Sequence, residues 1–217
     1  MRSKGQQAEP SKPVGEVPAT DDEIREKYLE RAIRELNQLT REIQSCDHCP
    51  RGNLMPVLGS GHPQADVFLL KYAPAPSEIE EGVAFYGRSG TALMKSLRRL
   101  DIDPLAVYGT LCVKCPVADT SLAAPECLAR LVEEIAIVQP KIVVVMGGES
   151  LAILNELALP LARSVEARPG VVQALTPSID VLVVPDIDDA LDEEDAKRAF
   201  WTAFRALGAW WAEFPPY

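Results

Sequence analysis

Four short runs of aliphatic and β-branched residues recur along the 217-residue chain, each bounded by Pro, Gly or Asp. They read ADVFLLKY, DPLAVYGTLCVKC, KIVVVMGG and VLVVP, and helical patterns such as TALMKSLRRL and PECLARLVEEIAIVQ separate them. Runs of this composition are typical of buried strands. Strands that alternate with helices form a sheet covered on both faces. We therefore predict an α/β fold, a three-layer α/β/α sandwich with a mostly parallel central sheet.

Composition divides the chain into three parts. Residues 1–20 are polar and Pro-rich, which predicts a disordered tail. Residues 21–45 carry apolar side chains at helical spacing after a Thr20 or Asp21 cap, which predicts an N-terminal helix. Residues 45–212 hold the remaining patterns and form one predicted domain. No apolar run approaches the roughly 18 residues of a membrane span, and the first residues lack the apolar core of a signal peptide. We expect a cytoplasmic monomer with no membrane association.

The formal net charge of −10 argues mildly against a nucleic-acid partner, because phosphate binding needs surplus cations on one face. A local basic region would answer this objection. The run GRSGTALMKSLRRL supplies one candidate, either as a basic strip or as an ordinary solvated helix face. The basic strip consists of Arg88, Lys95, Arg98 and Arg99. The N-terminus of this predicted helix is a weak candidate phosphate site. Its residues are Arg88, Ser89 and Gly90.

The five cysteines point to a metal site. Cys46 and Cys49 form a C-x-x-C, a turn that lets two thiolates reach one metal. Cys112 and Cys115 share that spacing, but side chains three apart on a strand point to opposite faces. Cys112 is then a core thiol, and Cys115 at the strand end is free to coordinate. Cys127, in the first turn of the next helix, supplies the fourth ligand.

Spacing alone leaves the nature of this centre open. Four thiolates suit either zinc or an iron–sulfur cluster. The competing interpretation is that all five cysteines are buried thiols. His48, inside the C-x-x-C, is interpreted as an exposed residue or a neighbour of the ligands rather than as a ligand itself.

The segment KYAPAPSEIEEGVAFYGRSG, residues 71–90, follows the first core strand. Its alternating Ala and Pro neither continue a strand nor start a helix cleanly, so we predict a loop. Loops at the carboxyl ends of parallel strands are where α/β proteins bind their ligands.

Four segments, taken in order, resemble the iron–sulfur uracil-DNA glycosylases, family 4 of the uracil-DNA glycosylase superfamily. They read CDHCP, VLGSGHPQADVFLLKYAPAPSEIEEGVAFYGRSGTALMKSL, VYGTLCVKCP and QPKIVVVMGGESLAIL. The resemblance covers roughly residues 42–207. It implies the same three-layer sandwich and favours a 4Fe-4S cluster over zinc. The implied ligands are Cys46, Cys49, Cys115 and Cys127.

The resemblance also implies a pocket in which a flipped uracil stacks on an aromatic ring while water attacks the glycosidic bond. The stacking ring corresponds to Phe85, and an acidic pocket residue corresponds to Glu78. The family's Gly-Glu-x-Pro-Gly loop reads Lys-Tyr-Ala-Pro-Ala here, which places Tyr72 at the catalytic glutamate. The uracil-reading asparagine falls at Leu111. Phe85, Tyr72 and Leu111 are therefore the candidate base-binding residues.

The family's His-Pro motif aligns with Asp188 and Asp189. These two residues belong to an acidic loop, Asp186–Asp195, that contains seven carboxylates and no cation. Carboxylates near a DNA backbone are unfavourable.

Three hypotheses follow. The first is a degenerate family member with little or no uracil excision, acting in a binding or accessory role in DNA repair. The second is an active DNA glycosylase that hydrolyses the N-glycosidic bond of uracil or another damaged base, with Glu78 and Asp188 as candidate catalytic residues. The third is a protein-binding module whose acidic loop docks a basic partner. The first two require single- or double-stranded DNA.

Overall fold

The computed structural model describes residues 20–122 and 125–213. The predicted tail lies almost wholly outside this range. The helices are α1 (Asp21–Ser45), α2 (Pro76–Glu81), α3 (Arg88–Arg99), α4 (Glu126–Val138), α5 (Gly148–Glu156), α6 (Asp189–Asp192) and α7 (Glu194–Glu213). The strands are β1 (Ser60–Gly61), β2 (Val67–Lys71), β3 (Val107–Leu111), β4 (Ile142–Met146), β5 (Val172–Thr176) and β6 (Ile179–Val184). None of the helices in the described ranges is long and apolar enough to cross a bilayer.

The strands form one sheet in the order β1-β3-β2-β4-β6-β5. The four central strands run parallel, and the short edge strands β1 and β5 pair antiparallel with their neighbours. Lys71 at the end of β2 lies opposite Leu111 of β3 and Met146 of β4. The carboxyl ends of three strands therefore meet at one edge.

Each central strand alternates its side chains between two apolar layers, as the pleat requires. On one face, Phe68 and Leu70 of β2 pack in a core with residues of α4 and α5. On the other, Val67 and Leu69 pack with residues of α3 and α7. Helices thus cover both faces, and the predicted three-layer α/β/α sandwich is confirmed.

Helix α1 begins at the predicted cap, where Thr20 accepts from the Glu23 amide and Glu23 accepts from the Thr20 amide. The helix packs on α4 through its buried residues and a salt bridge of 2.6 Å between Glu42 and Arg130. It ends at Ser45, so the chain enters the first cysteines directly from α1.

Two local predictions were wrong. The segment after β2 is not all loop, because Pro76 occupies the N-terminal turn of α2 and the Glu78 carboxylate accepts from the Ala75 amide. Proline is tolerated there because that amide needs no helical partner. The third strand ends at Leu111 rather than near Cys115. Beyond it, the buried Lys114 side chain turns back to donate to the Leu111 carbonyl.

Candidate active-site pocket and cysteine cluster

A buried lysine marks the carboxyl edge of the sheet. Lys71 is the last residue of β2, and its side chain is 1% exposed. Its Nζ lies 2.8 Å from Oε2 of Glu78 and 2.6 Å from Oδ2 of Asp188. We call Lys71, Glu78 and Asp188 the pocket ion network. A buried ammonium is tolerated only with such partners, because desolvation of an unpaired charge is costly.

Glu78 has its carboxylate fully engaged. Besides the contact with Lys71, its two oxygens accept from the Ala75 amide at 2.7 Å and from the Phe85 amide at 2.6 Å. The residue is completely buried. Its oxygens therefore fix the two ends of the loop around α2.

Phe85 is held in an unusual backbone conformation. Its φ is +59°, which is rare for a bulky residue and costs free energy unless the surroundings enforce it. The ring lies against Gly109 in the middle of β3, where a Cβ would come within 2.6 Å of Phe85 Cδ2. The Lys71 ammonium lies over the ring, 5.8 Å from its centroid. The ring is therefore positioned by β3 and covered by Lys71.

The other two candidate base-binding residues lie on different sides of β2. Leu111 is completely buried and packs with Val57 and Ala84, next to Phe85. Tyr72 instead packs against the core formed with α4 and α5. The structure thus brings Phe85, Leu111 and Glu78 together at the carboxyl edge of the sheet, the region that we call the pocket, and places the Tyr72 side chain in the opposite layer.

Cations from other parts of the fold neutralise much of the acidic loop. Asp188 contacts Lys71, and Asp192 lies 2.7 Å from Arg88. Glu194 and Asp195 pair with Lys197 and Arg198 one turn further along α7. The loop itself contains no cation, and its partners come from β2, α3 and α7.

Asp186 lies at the base of the acidic loop. It accepts from the Asp188 amide at 2.8 Å, and burial raises the pKa of its carboxyl above the usual value. Folding therefore disfavours the ionised form of this side chain.

The candidate phosphate site is partly occupied by the protein itself. Arg88 donates to the Leu191 carbonyl and to Asp192, and Ser89 is buried. A side chain at Gly90 would clash with the Phe85 carbonyl, so the glycine permits the close approach of α3 to the pocket loop.

Three of the four predicted ligand cysteines meet beyond the end of β3. The sulfur atoms of Cys49, Cys115 and Cys127 lie within 4.8 Å of one another, and those of Cys49 and Cys127 are 3.9 Å apart. The fourth, Cys46, is the C-terminal cap of α1, and its Sγ lies 3.1 Å from Nδ1 of His48. We call Cys49, Cys115 and Cys127 the cysteine cluster.

The donor set fits a metal centre. The hydrogen bond between Cys115 and Cys127 lowers the pKa of Cys127 to about 6 and raises the pKa of Cys115, so that one thiolate of the pair is favoured. A thiolate at neutral pH is the form that binds metals. Cys112 differs, because it is completely buried in the main core and burial raises its pKa to about 12. Its interpretation as a core thiol agrees with this position.

Two features escaped the sequence analysis. One is the pocket ion network centred on Lys71. The other is a buried pair beside the cluster, in which Lys114 Nζ lies 2.7 Å from Oε2 of Glu134. Lysine immediately after an apolar run is the only signal the sequence carries for either feature.

The chain is an α/β protein of the three-layer class. Its candidate pocket lies at the carboxyl edge of the sheet, and the cysteine cluster lies beyond the end of β3. The family described as the Uracil DNA glycosylase superfamily matches residues 58–207, and the chain belongs to that superfamily.

Its similarity to curated relatives points to the type-4 branch. It is 33% identical over 131 residues to the type-4 uracil-DNA glycosylase of Pyrobaculum aerophilum, a match that covers 57% of this chain and 66% of the relative. It is 32% identical over 127 residues to the type-4 uracil-DNA glycosylase of Sulfurisphaera tokodaii, covering 53% of this chain and 56% of the relative. The protein of the same name from Archaeoglobus fulgidus is 28% identical over 123 residues, covering 53% and 61%. The chain thus spans less than two thirds of the length of each of these relatives.

Proposed function

We propose that this protein is a uracil-DNA-glycosylase-like iron–sulfur protein with little or no uracil excision. It serves DNA repair in the cytoplasm as a monomer, in a binding or accessory role. The observation that carries the proposal is the pocket ion network, which holds the protein's own ammonium group over the Phe85 ring.

A base stacked on Phe85 would lie roughly 3.5–4 Å from the ring. The Lys71 ammonium lies over this ring, so a base on that face would have to displace it. Removing Lys71 from Glu78 would leave a buried carboxylate with only its two amide donors. We expect this to cost about 1.5–3 kcal/mol, the value of a hydrogen bond to a charged group. This cost adds to the few kcal/mol needed to flip a base from the duplex.

The pocket also lacks polar groups that would form hydrogen bonds with an incoming uracil. Leu111 offers an apolar side chain where the resemblance places an asparagine. A uracil edge left without partners there loses about 1–3 kcal/mol per buried group. Glu78 already accepts two amide protons in addition to its contact with Lys71, so it has little capacity left to orient a water.

Single-turnover release of uracil from single-stranded DNA tests the proposal. We expect no release by the wild-type protein above the level of Phe85→Ala. A variant with three substitutions, Lys71→Gly, Leu111→Asn and Asp188→His, is expected to gain measurable release. Wild-type release that Phe85→Ala abolishes would overturn the proposal.

A second candidate is an active glycosylase for another damaged base. It is favoured by Asp188, whose side chain is 37% exposed at the mouth of the pocket while still contacting Lys71. In that case Asp188 and Glu78 act as the catalytic carboxylates and Phe85 stacks the base. A screen of deaminated and alkylated bases in DNA, yielding product that Asp188→Asn removes, would favour this function over the first.

Docking of a basic partner protein by the acidic loop has less support, because Asp188, Asp192, Glu194 and Asp195 already contact cations of this chain. Charge reversal at Asp188, Asp189 and Asp192 would abolish such docking in a pull-down experiment. An unaffected pull-down would exclude it.

We propose a 4Fe-4S cluster as the cofactor, held by Cys46, Cys49, Cys115 and Cys127, with zinc as the alternative. The closeness of three thiols supports a metal, but their spacing also suits zinc, whose tetrahedral ligands at about 2.3 Å place sulfurs about 3.8 Å apart. Anaerobic purification followed by iron, sulfide and zinc analysis separates the two. Cys127→Ala is expected to lose the metal, and Cys112→Ala, a buried thiol outside the cluster, is the matched control that keeps it. Stoichiometric zinc without iron would contradict the proposed cluster.

A further inference from the structure

A groove of about 780 Å³ runs between α3 on one side and α6 and α7 on the other. Its floor is apolar and includes Ile187, Phe200 and Trp201. It opens beside the pocket, because Gly87 and Arg88 line one end and Ile187 adjoins Asp188 of the pocket ion network.

The rim of the groove is basic, although the whole chain carries a net charge of −10. Its charged lining consists of five cations and one carboxylate, namely Arg88, Lys95, Arg99, Lys197, Arg198 and Glu194. Arg88 is held by Asp192, whereas Lys95 and Arg99 pair with no carboxylate of the described residues. The ion pairs of Lys197 and Arg198 join exposed neighbours on one helix. Such exposed pairs stabilise by less than about 1 kcal/mol and exchange readily for a phosphate.

An aromatic ring lies among these cations. Trp201 is half-buried in the floor, and the Arg99 guanidinium lies over it, 5.7 Å from its centroid. Arg99 is exposed and can move aside for a base, unlike the buried Lys71, which is held by two carboxylates. Cations that follow a backbone combined with an aromatic platform are the features by which proteins hold single-stranded nucleic acid. A duplex offers no unpaired base face to such a ring.

We propose that this groove binds single-stranded DNA, with phosphates on Lys95 and Arg99 and a base against Trp201. The inference rests on the proposed function and adds to it a second contact surface outside the closed pocket. It explains how the protein holds DNA although no base enters that pocket.

Fluorescence anisotropy with a fluorescein-labelled oligothymidylate of twelve residues tests the groove, using the full chain over a range of salt concentrations. The double variant Lys95→Gln/Arg99→Gln removes two phosphate partners. The slope of log K against log salt is expected to become shallower by about 1.4, since each contact to a single strand contributes about 0.7. Trp201→Ala is expected to weaken binding by about 5- to 150-fold, the range for one stacked base.

Arg98→Gln is the matched control. Arg98 neighbours Arg99 on α3 but lines a different cavity, between α3 and β3. We expect the affinity of Arg98→Gln for oligothymidylate to stay within about twofold of wild type, because this variant loses only one charge outside the groove. Since both arginines are exposed, neither substitution removes core packing, and circular dichroism verifies the fold of each variant.

Three outcomes would overturn the inference. They are absence of oligothymidylate binding, equal weakening by Arg98→Gln and by the double variant, and oligothymidylate binding that the double variant leaves unchanged. Poly-glutamate binding that the groove variants abolish while DNA binding persists would assign the groove to an acidic protein partner instead. Uracil release by the wild type would overturn the proposed function but leave this assay unaffected, so the two failures are distinguishable.

Discussion

Two buried lysines lie near the ends of neighbouring strands, and their surroundings differ in one respect. Lys71 and Lys114 are each 1% exposed, and each contacts a glutamate that is at most 2% exposed. The side-chain partners of Lys114 are Glu134 and Thr110, and both are buried. Glu134 also accepts hydrogen bonds from Thr110 and from Tyr108. Burial raises the pKa of Tyr108, so its hydroxyl keeps the proton that it donates. Lys71 instead has Asp188, which is 37% exposed, as its second partner.

The exposure of its partners separates a buried ion pair that only stabilises the fold from one that borders a functional site. An ion network whose partners are all buried cannot exchange any of them for water or a ligand, and it therefore stabilises the packing around it. A network with one partner at the surface can exchange that partner for water or for a ligand. The first description fits Lys114, next to the cysteine cluster, and the second fits Lys71, at the pocket.

The largest effect is expected for Lys114→Met. This change leaves the Glu134 carboxylate buried without a counter-ion and is expected to lower the free energy of unfolding by about 3–5 kcal/mol. Urea denaturation, with metal content checked in both proteins, measures it. The double variant Lys114→Met/Glu134→Leu removes both charges and should recover most of the loss. A single variant as stable as wild type would remove the distinction between the two lysines.

Lys71→Met is expected to cost less, about 1.5–3 kcal/mol, the value of a hydrogen bond to a charged group. Glu78 keeps its two amide donors after this change, and Asp188 is open to water. The same urea experiment compares the two lysines directly. A loss as large as that of Lys114→Met would show that the pocket network is as closed as the core network.

Asp188→Asn should change the free energy of unfolding by less than about 1 kcal/mol, because solvent screens a partly exposed ion pair. The amide oxygen still accepts from Lys71, so the pocket stays closed. Thermal unfolding of the variant beside Asp188→Ala separates loss of charge from loss of the contact. A stability loss above that of Lys71→Met would contradict the surface character of this partner.

The smallest effect is expected from Asp186→Asn, and it depends on pH. Burial raises the pKa of Asp186 above 3.8, so folding is penalised once the carboxyl ionises. The variant should therefore be slightly more stable than wild type at pH 7. The difference should shrink as the pH falls through the raised pKa and vanish below 3.8, where the acid is protonated in both folded and unfolded chains. Chemical denaturation at pH 7, 5 and 3.5 measures the difference, and a gain at low pH would contradict this sign.

Much of the fold was predictable because its signals are local. Strand β4 is a continuous apolar run, β2 is one up to Lys71, and the helices that cover the sheet carry apolar residues at helical spacing. The meeting of Cys49, Cys115 and Cys127 was also predictable from their spacing, although β3 ends at Leu111 and not, as expected, near Cys115. Whether Cys46 joins them stays a prediction, and its sulfur contacts His48 here.

The state of the pocket was not predictable in the same way. Lys71 and Asp188 are 117 residues apart, and no spacing rule connects them. Lysine is rarely buried without a partner, so a lysine at a strand end is ordinarily interpreted as exposed. Helix α2 was missed for a related reason, because Glu78 caps it with a side chain that lies inside the helix itself.

The cysteine cluster also has a consequence for the order of events during synthesis. Cys49 and Cys127 are 78 residues apart, and α1, which precedes Cys49, packs on α4, which carries Cys127. A chain leaving the ribosome therefore exposes its first thiols long before their partners exist. Assembly of the cysteine cluster and docking of α1 must both wait for α4, so α1 is secured only after segments that are synthesised well after it.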